Sequence, residues 1–251
     1  MTVDAPSLHD PLIRPIGLTG VLFTFSDVLT DDANHMALAF RAQIETAAIV
    51  GVIETSTSLT STYVAYDPCA VGLNPLIVRL KDLLSQTKPS RLGSPMGRRL
   101  WRIPTVFGGD AGPQLAEAAA MAGLSPKQAI DEIAATTVRV LTIGFAPGQP
   151  YLGPLPQNWN VPRQSGLTAQ VPAGAIAVAI RQMVLFNAAS PTGWRLIGQT
   201  AFRVFRPEAT DPFSLRPGDE VQLVPVSQRE MSALRARQDG SNGGASCEGG
   251  S

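Results

Sequence analysis

Between Gly144 and Trp194 the chain packs Gly-Phe-Ala-Pro-Gly-Gln-Pro-Tyr, Val-Pro-Ala-Gly-Ala and Ser-Pro-Thr-Gly-Trp into about fifty residues. Each Pro fixes one backbone torsion, and each Gly opens conformations closed to other residues. A run this dense in both reads as short strands joined by shaped loops, not as linker. Ordered loops on a rigid β scaffold are a usual place for a ligand or a partner to bind.

The rest of the chain supplies enough apolar material to support such a scaffold. Over 251 residues, 44% are hydrophobic and 16% charged, which predicts one large or two modest folded domains. Twenty basic residues balance twenty acidic ones, so no electrostatic footprint favours nucleic acid or an anionic membrane. Apolar runs stay shorter than the ~18 residues of a membrane span. Asp4, His9 and Asp10 stand where a signal peptide needs a basic start and a greasy centre, which predicts a cytoplasmic protein. Cys69 and Cys247 make no disulfide or metal spacing, and with only His9 and His35 there is little material for histidine catalysis or a His-ligated metal.

Periodicity then divides the chain. Strand-like residues 12–25, broken at Gly17–Gly20, precede a helix capped at Thr30 or Asp31, with Ala33, Met36, Ala37, Phe40, Ile44 and Ala47 on one face. Two β-rich runs, 52–57 and 60–66, read as a hairpin, and Asn74-Pro75 reads as the start of a second helix carrying Leu76, Leu80, Leu83 and Leu84. With residues 99–106 as a closing strand, this order predicts an α+β ferredoxin-like domain over residues 1–97. Residues 88–97 would be the Pro/Gly/Ser-rich connection to that closing strand.

Residues 98–228 read as a second, mostly β domain. Gly112-Pro113, Gly123 and Ser125-Pro126 punctuate a helical hairpin. Strands predicted at 138–145, 176–180, 184–186, 202–205 and 221–226 then suggest an antiparallel barrel or sandwich. The Gly/Ser/Asn-rich residues 229–251 read as a disordered tail.

Candidate site residues cluster in the turn-rich stretch. Phe145 and Tyr151 are candidate pocket walls, with the backbone N–H near Gly148 as a donor to developing negative charge. A barrel corner needing Gly and Pro for geometry alone is the competing reading of that loop. Tyr151 is the only phenol in the second domain. Arg163 could grip an anion bidentately or simply be solvated. Ser190 precedes Pro191 in a turn, but no His or Lys base is evident for a nucleophilic role. Trp194, next to Leu196 and Ile197, reads as a barrel plug more readily than as a stacking platform. Gly108-Gly109 lacks the Lys and Ser/Thr of a phosphate loop, so no ATP site is visible in this chain.

Ile103-Pro104, Phe107-Gly108-Gly109, Gly112-Pro113, Leu124-Ser125-Pro126, the Gly144 loop, Val171-Pro172-Ala173-Gly174, Gln182, Ser190-Pro191, Gly193-Trp194 and Ile197-Gly198 occur in that order. In this the chain resembles the family of 5-oxoprolinase B subunits, also known as allophanate hydrolase subunit 1, as a divergent member. The same family includes the Kip-type inhibitor of a sporulation histidine kinase and the carboxyltransferase region (subdomains C and D) of urea amidolyase. The resemblance implies a cyclophilin-like barrel in the second domain and work beside a larger C-type partner (allophanate hydrolase subunit 2-like), with an A-type (lactam-utilisation) protein as a third component. It also implies ATP-dependent opening of the lactam of 5-oxoproline, a small carboxylate, with ATP used by the complex and no cofactor bound by this chain alone. Gln182 stands where the family has Gln, a group that could orient a carbonyl or a water.

Departures are as specific as the matches. The family usually carries Tyr at the positions of Phe107 and Phe186, an aromatic at Gln149, Gly-Gly at Ile180-Arg181, basic residues at Thr168 and Gln170, and Gly at Thr192. Arg181 is read either as replacing the charge lost at Thr168 and Gln170 or as pointing outward. A Kip-type regulator without catalysis, and a carboxyltransferase component served by a separate biotin carrier, are the rival readings.

Overall fold

Two separate apolar cores divide the chain into units Met1–Gly97 and Arg98–Ser251. The computed structural model describes residues 7–88, 99–237 and 240–249, so most of the connection read at 88–97 lies outside the described residues.

In the first unit, β1 (Leu12–Ile16) and β2 (Gly20–Thr24) form one hairpin and β3 (Val52–Ser58) and β4 (Ser61–Tyr66) another, giving an antiparallel sheet in the order β1-β2-β4-β3. Helix α1 (Asp31–Ala47) follows the first hairpin and α2 (Leu73–Gln86) the second. The Thr30 side chain accepts from the Ala33 N–H, satisfying one of the donors that the first turn of α1 leaves unpaired. Met36, Ala37, Phe40 and Ile44 are buried against Phe23 and Phe25, with Phe40 ring centres 5.1 and 5.9 Å from those two rings. Helix α2 starts earlier than Asn74 suggested. Its N-cap is Gly72, and Pro75 sits inside the first turn, where no N–H is needed.

The strand expected to close this sheet does not join it. Residues of β5 (Leu100–Phe107) pair in the second unit, and the edge beside β2 is taken by the amino-terminal β1. The first unit is therefore α+β in the order ββαββα, not the βαββαβ of the ferredoxin-like reading. Because β1 and β2 are joined by a tight turn, their pairing closes a shorter loop than β5 would.

The second unit is a closed barrel. Its seven strands are β5, β6 (Val138–Ile143), β7 (Pro150–Gly153), β9 (Ala175–Ala179), β10 (Gln182–Leu185), β12 (Arg195–Gln199) and β13 (Glu220–Pro225). They run β12-β9-β10-β7-β6-β13-β5, and β12 pairs back onto β5; only β13–β5 is parallel. Inward positions at alternate residues, among them Ile103, Val140, Leu152, Val178, Met183, Ile197 and Val221, form one cluster. Helices α3 (Leu115–Met121) and α4 (Pro126–Ala135) join that cluster through Ala118, Ala119, Ala129 and Ile133. A two-stranded ribbon of β8 (Thr168–Val171) and β11 (Ser190–Thr192) completes the β structure of the middle of the chain.

Two expectations fail here. Residues 202–205 are not a strand: Thr200 bonds the Pro104 carbonyl, and only an isolated bridge joins Phe205 to Phe213. Nor are the described residues of the tail disordered. Helix α5 (Gln228–Ala236) is held by a reciprocal cap between Ser227 and Glu230 and buries Met231. Farther on, β14 (Ser246–Glu248) pairs with Leu100–Arg102 of β5, next to the stretch where β12 pairs with Val106 and Phe107. The tail thus covers an open length of strand edge, which composition cannot reveal.

Candidate functional site

Strand alternation determines which side chains can meet. Leu196, Ala177, Val184 and Tyr151 are register partners across β12, β9, β10 and β7, and all point away from the barrel interior. Ala175 and Ala179 continue the same outer face along β9, where every residue is buried on both sides. Small alanines leave room for what lies over them: Val171 of β8, Phe186 and the Trp194 indole.

Trp194 is therefore no barrel plug. It belongs to the outer cluster, while Trp159, from the turn after β7, fills the interior one. The Trp194 ring stands edge-on to Tyr151 at 6.1 Å, and the Arg163 guanidinium lies 5.4 Å from its centre. Indole is the preferred ring for such a cation contact. The structure thus brings together Tyr151, Trp194 and Arg163. Among the described residues the Tyr151 hydroxyl has no hydrogen-bond partner and Arg163 no ion pair, so both polar groups face outward from a packed aromatic base.

Gln182 lies on the same face, 4% exposed, beside Gly153 of the neighbouring strand. Its side-chain amide makes no hydrogen bond among the described residues. An amide in such a place is available to a ligand or a water.

The remaining predicted residues are placed differently. Ser190 is buried in the ribbon and its hydroxyl donates to the Ala188 carbonyl at 3.1 Å, a turn contact with no base beside it. Gly148 has φ +70, and a Cβ there would lie 2.9 Å from the Val204 carbonyl oxygen, so the loop needs glycine for geometry. Phe145 is 74% exposed with φ 72, forming no wall of the Tyr151 group. Arg181 neither replaces a missing pocket charge nor points freely outward. Its Nε donates to the Leu155 carbonyl at 2.9 Å, bracing the β9–β10 turn.

Sequence reasoning missed the residues that hold Arg163 in position. Arg195, nearly buried, donates from Nε to Glu117 at 2.8 Å and from Nη1 to the Pro162 carbonyl at 2.6 Å. Gln164 donates to the Trp194 carbonyl at 2.9 Å, and Gln114 donates to Gln164 at 2.6 Å while accepting from the Leu196 N–H at 2.9 Å. This network ties α3, the 162–164 segment and β12 together around the base of the aromatic group. The only signal in the sequence was an Arg inside an apolar strand, Arg195 between Trp194 and Leu196.

Among the described residues, no group of three or more His, Cys, Asp or Glu is placed to hold a metal, and no helix is long and apolar enough to cross a membrane. The site offers a cation, a phenol and an amide on an aromatic floor. It can bind and orient a small anion or a carbonyl, but it brings no nucleophile–base pair.

The chain is similar to several known proteins. Over 230 residues the chain is 31% identical to the 5-oxoprolinase B subunit of Bacillus subtilis (strain 168), covering 89% of this chain and 96% of that protein. Over 130 residues it is 42% identical to the 5-oxoprolinase B subunit of Escherichia coli O157:H7, 52% of this chain and 60% of that one. The crystal structure of TTHA0988 superimposes with a TM-score of 0.71 at 29% identity, over 86% of this chain and 40% of that one. The urea amidolyase of K. lactis shares the fold, with a TM-score of 0.77 at 18% identity over 98% of this chain and 17% of the larger protein. The chain thus spans less than half of either of these two structures. The family described as carboxyltransferase domain, subdomain C and D, matches residues 11–215, and the chain belongs to it.

Proposed function

We propose that this chain is the small, B-type subunit of a heteromeric 5-oxoprolinase-type complex, forming one wall of a site completed by a larger C-type partner. The observation that carries the reading is the Tyr151–Trp194–Arg163 group with Gln182 on the same face: polar groups without protein partners, on a rigid base, and no catalytic set of their own. Relatives named as B subunits support the assembly, as do solved structures in which this fold is only part of a longer chain.

In this reading Arg163 holds the carboxylate of 5-oxoproline, with the Trp194 face beneath it limiting the orientations of the guanidinium. The Tyr151 hydroxyl donates to the lactam carbonyl, and the Gln182 amide orients that carbonyl or a water. Opening the lactam adds water to its carbonyl carbon as the ring C–N bond breaks and the nitrogen takes up a proton, which gives glutamate. ATP supplies the driving force within the complex, and a phosphate loop is absent from the described residues of this chain. The barrel is read as cyclophilin-like and the complex as cytoplasmic.

The test is reconstitution. Co-expressed with C-type and A-type partners, the chain should co-elute with them and support ATP-dependent conversion of 5-oxoproline to glutamate. Arg163→Ala should raise KM for 5-oxoproline by about tenfold, and Tyr151→Phe should chiefly lower kcat. A stable complex with full activity in both variants would remove the assigned site. Transfer of a carboxyl group without lactam hydrolysis would move the chain to the carboxyltransferase reading.

A further inference from the structure

The second unit also carries a groove of about 730 Å³ whose lining includes none of Tyr151, Arg163, Gln182 or Trp194. One wall is the barrel: the Pro172-Ala173-Gly174 turn that leads into β9, and the segment after β12 carrying Arg203 and Arg206. The other wall is the carboxy-terminal tail, with Leu234, Arg235 and Arg237 at the end of α5 and the Gly240–Gly243 loop. Neither the tail nor the Pro-Ala-Gly turn has a role in the site assigned above.

Charge in this groove is lopsided. Among the described residues that line it, four guanidinium groups accompany one carboxylate, Glu208, in a chain whose formal net charge is zero. Glu208 is already engaged: Arg203 donates to both of its oxygens at 2.6 and 3.2 Å, and Arg206 lies 3.9 Å away. Its own backbone N–H first, and Arg203 second, hold the carboxyl below the usual range, so this pair stays charged. Arg235 and Arg237, by contrast, make no hydrogen bond or ion pair among the described residues. Among the described lining residues the cations thus outnumber the carboxylates, which leaves positive potential on a concave surface.

The tail wall is held in place by specific contacts. Asn242 accepts from the Arg203 N–H at 2.9 Å and donates to the Arg203 carbonyl at 3.0 Å and to Ser214 at 3.2 Å. Gly243 lies so close to the Ala201 backbone that any side chain there would collide with it. The Gly240–Gly243 loop is thus held against the segment that carries Arg203.

We propose that this groove is a binding site for a phosphate-bearing small molecule with several negative charges, seated between Arg203 and Arg206 on the barrel and Arg235 and Arg237 on the tail. Its volume suits a ligand of nucleotide size. Guanidinium forks match phosphate oxygens in geometry as well as charge.

Isothermal titration of the full 251-residue chain with tripolyphosphate and with ATP tests this, with tricarballylate as a carboxylate control. Saturable binding of both phosphate compounds is expected, weakening as salt is raised. Tighter binding of ATP than of tripolyphosphate would show that the base is also held; equal binding would show that the phosphates suffice. The double variant Arg235→Ala/Arg237→Ala should bind about tenfold or more weakly. Its thermal midpoint should be unchanged, since both side chains are exposed. Absence of saturable binding, unaltered affinity in the double variant, or tricarballylate binding as tight as tripolyphosphate would each overturn the assignment.

Discussion

Replacing Ile180 with Asn should stabilise the protein, although it removes an apolar residue. Ala179 pairs with Gln182, leaving a two-residue turn in which Ile180 has φ 44 and Arg181 φ 61. Hairpins favour such turns because their twist matches the strands, but they require residues that tolerate the left-handed region. An L-residue there costs about 1–2 kcal/mol, and a β-branched one is among the worst choices. The turn keeps its shape because its neighbours impose it: Ile180 and Arg181 donate to the Val161 and Trp159 carbonyls at 2.7 and 2.9 Å, and Leu155 donates to Arg181 at 2.7 Å. Asn retains all three backbone bonds and relieves about 1 kcal/mol of the strain. Little is lost in exchange, since Ile180 is 39% exposed and packs in none of the three apolar clusters, a loss of roughly 0.5 kcal/mol. The net expectation is a gain of about 0.5 kcal/mol, or ~1–2 °C in Tm. Urea unfolding followed by tryptophan fluorescence reads the second unit alone, because Trp101, Trp159 and Trp194 all lie in it. Ile180→Val keeps the branched carbon and should show no gain. A variant Ile180→Asn that unfolds at lower urea than the parent, or an equal gain for Ile180→Val, would refute the strain argument.

Other expectations rest on the same geometry. Gly148→Ala should destabilise the second unit by about 1–3 kcal/mol in urea unfolding, because the new methyl meets the Val204 carbonyl in a left-handed backbone. Arg195→Met keeps the apolar stem but frees Glu117 and the Pro162 carbonyl. Since Glu117 is half exposed, stability should fall by only about 1–2 kcal/mol, while hydrogen exchange in residues 162–165 rises markedly. At the start of α5, Ser227, chiefly through its backbone N–H and then its hydroxyl, holds the Glu230 carboxyl below the usual range. A depressed carboxylate stabilises above its unfolded pKa and loses that contribution as pH falls through the folded one. Amide exchange in α5 should therefore accelerate on acidification below the usual carboxylate range, and Glu230→Gln should show much less of this pH dependence.

Much of the architecture was legible because it rests on local rules. The apolar stripes of α1 and α2, the hairpin of residues 52–66 and the helical hairpin punctuated by Gly123 and Ser125-Pro126 are all present. Tyr151 and Arg163 could be singled out as a lone phenol and a cation after proline, and the order of the Gly-Pro motifs pointed to the family. What stood opposite them could not be read. Trp194 joins Tyr151 to Arg163 only because β12, β9, β10 and β7 align in register, and register is a property of pairing, not of any one strand. Likewise β5 had two available sheets, and a Gly/Ser-rich tail looked unable to order itself until a free strand edge and the Asn242 contacts supplied partners distant in sequence. Helix caps and turn residues act over a few positions, so one chain displays them openly. Partner choice between remote strands is a comparison of closed loops and buried surface, and that comparison exists only once the chain has folded.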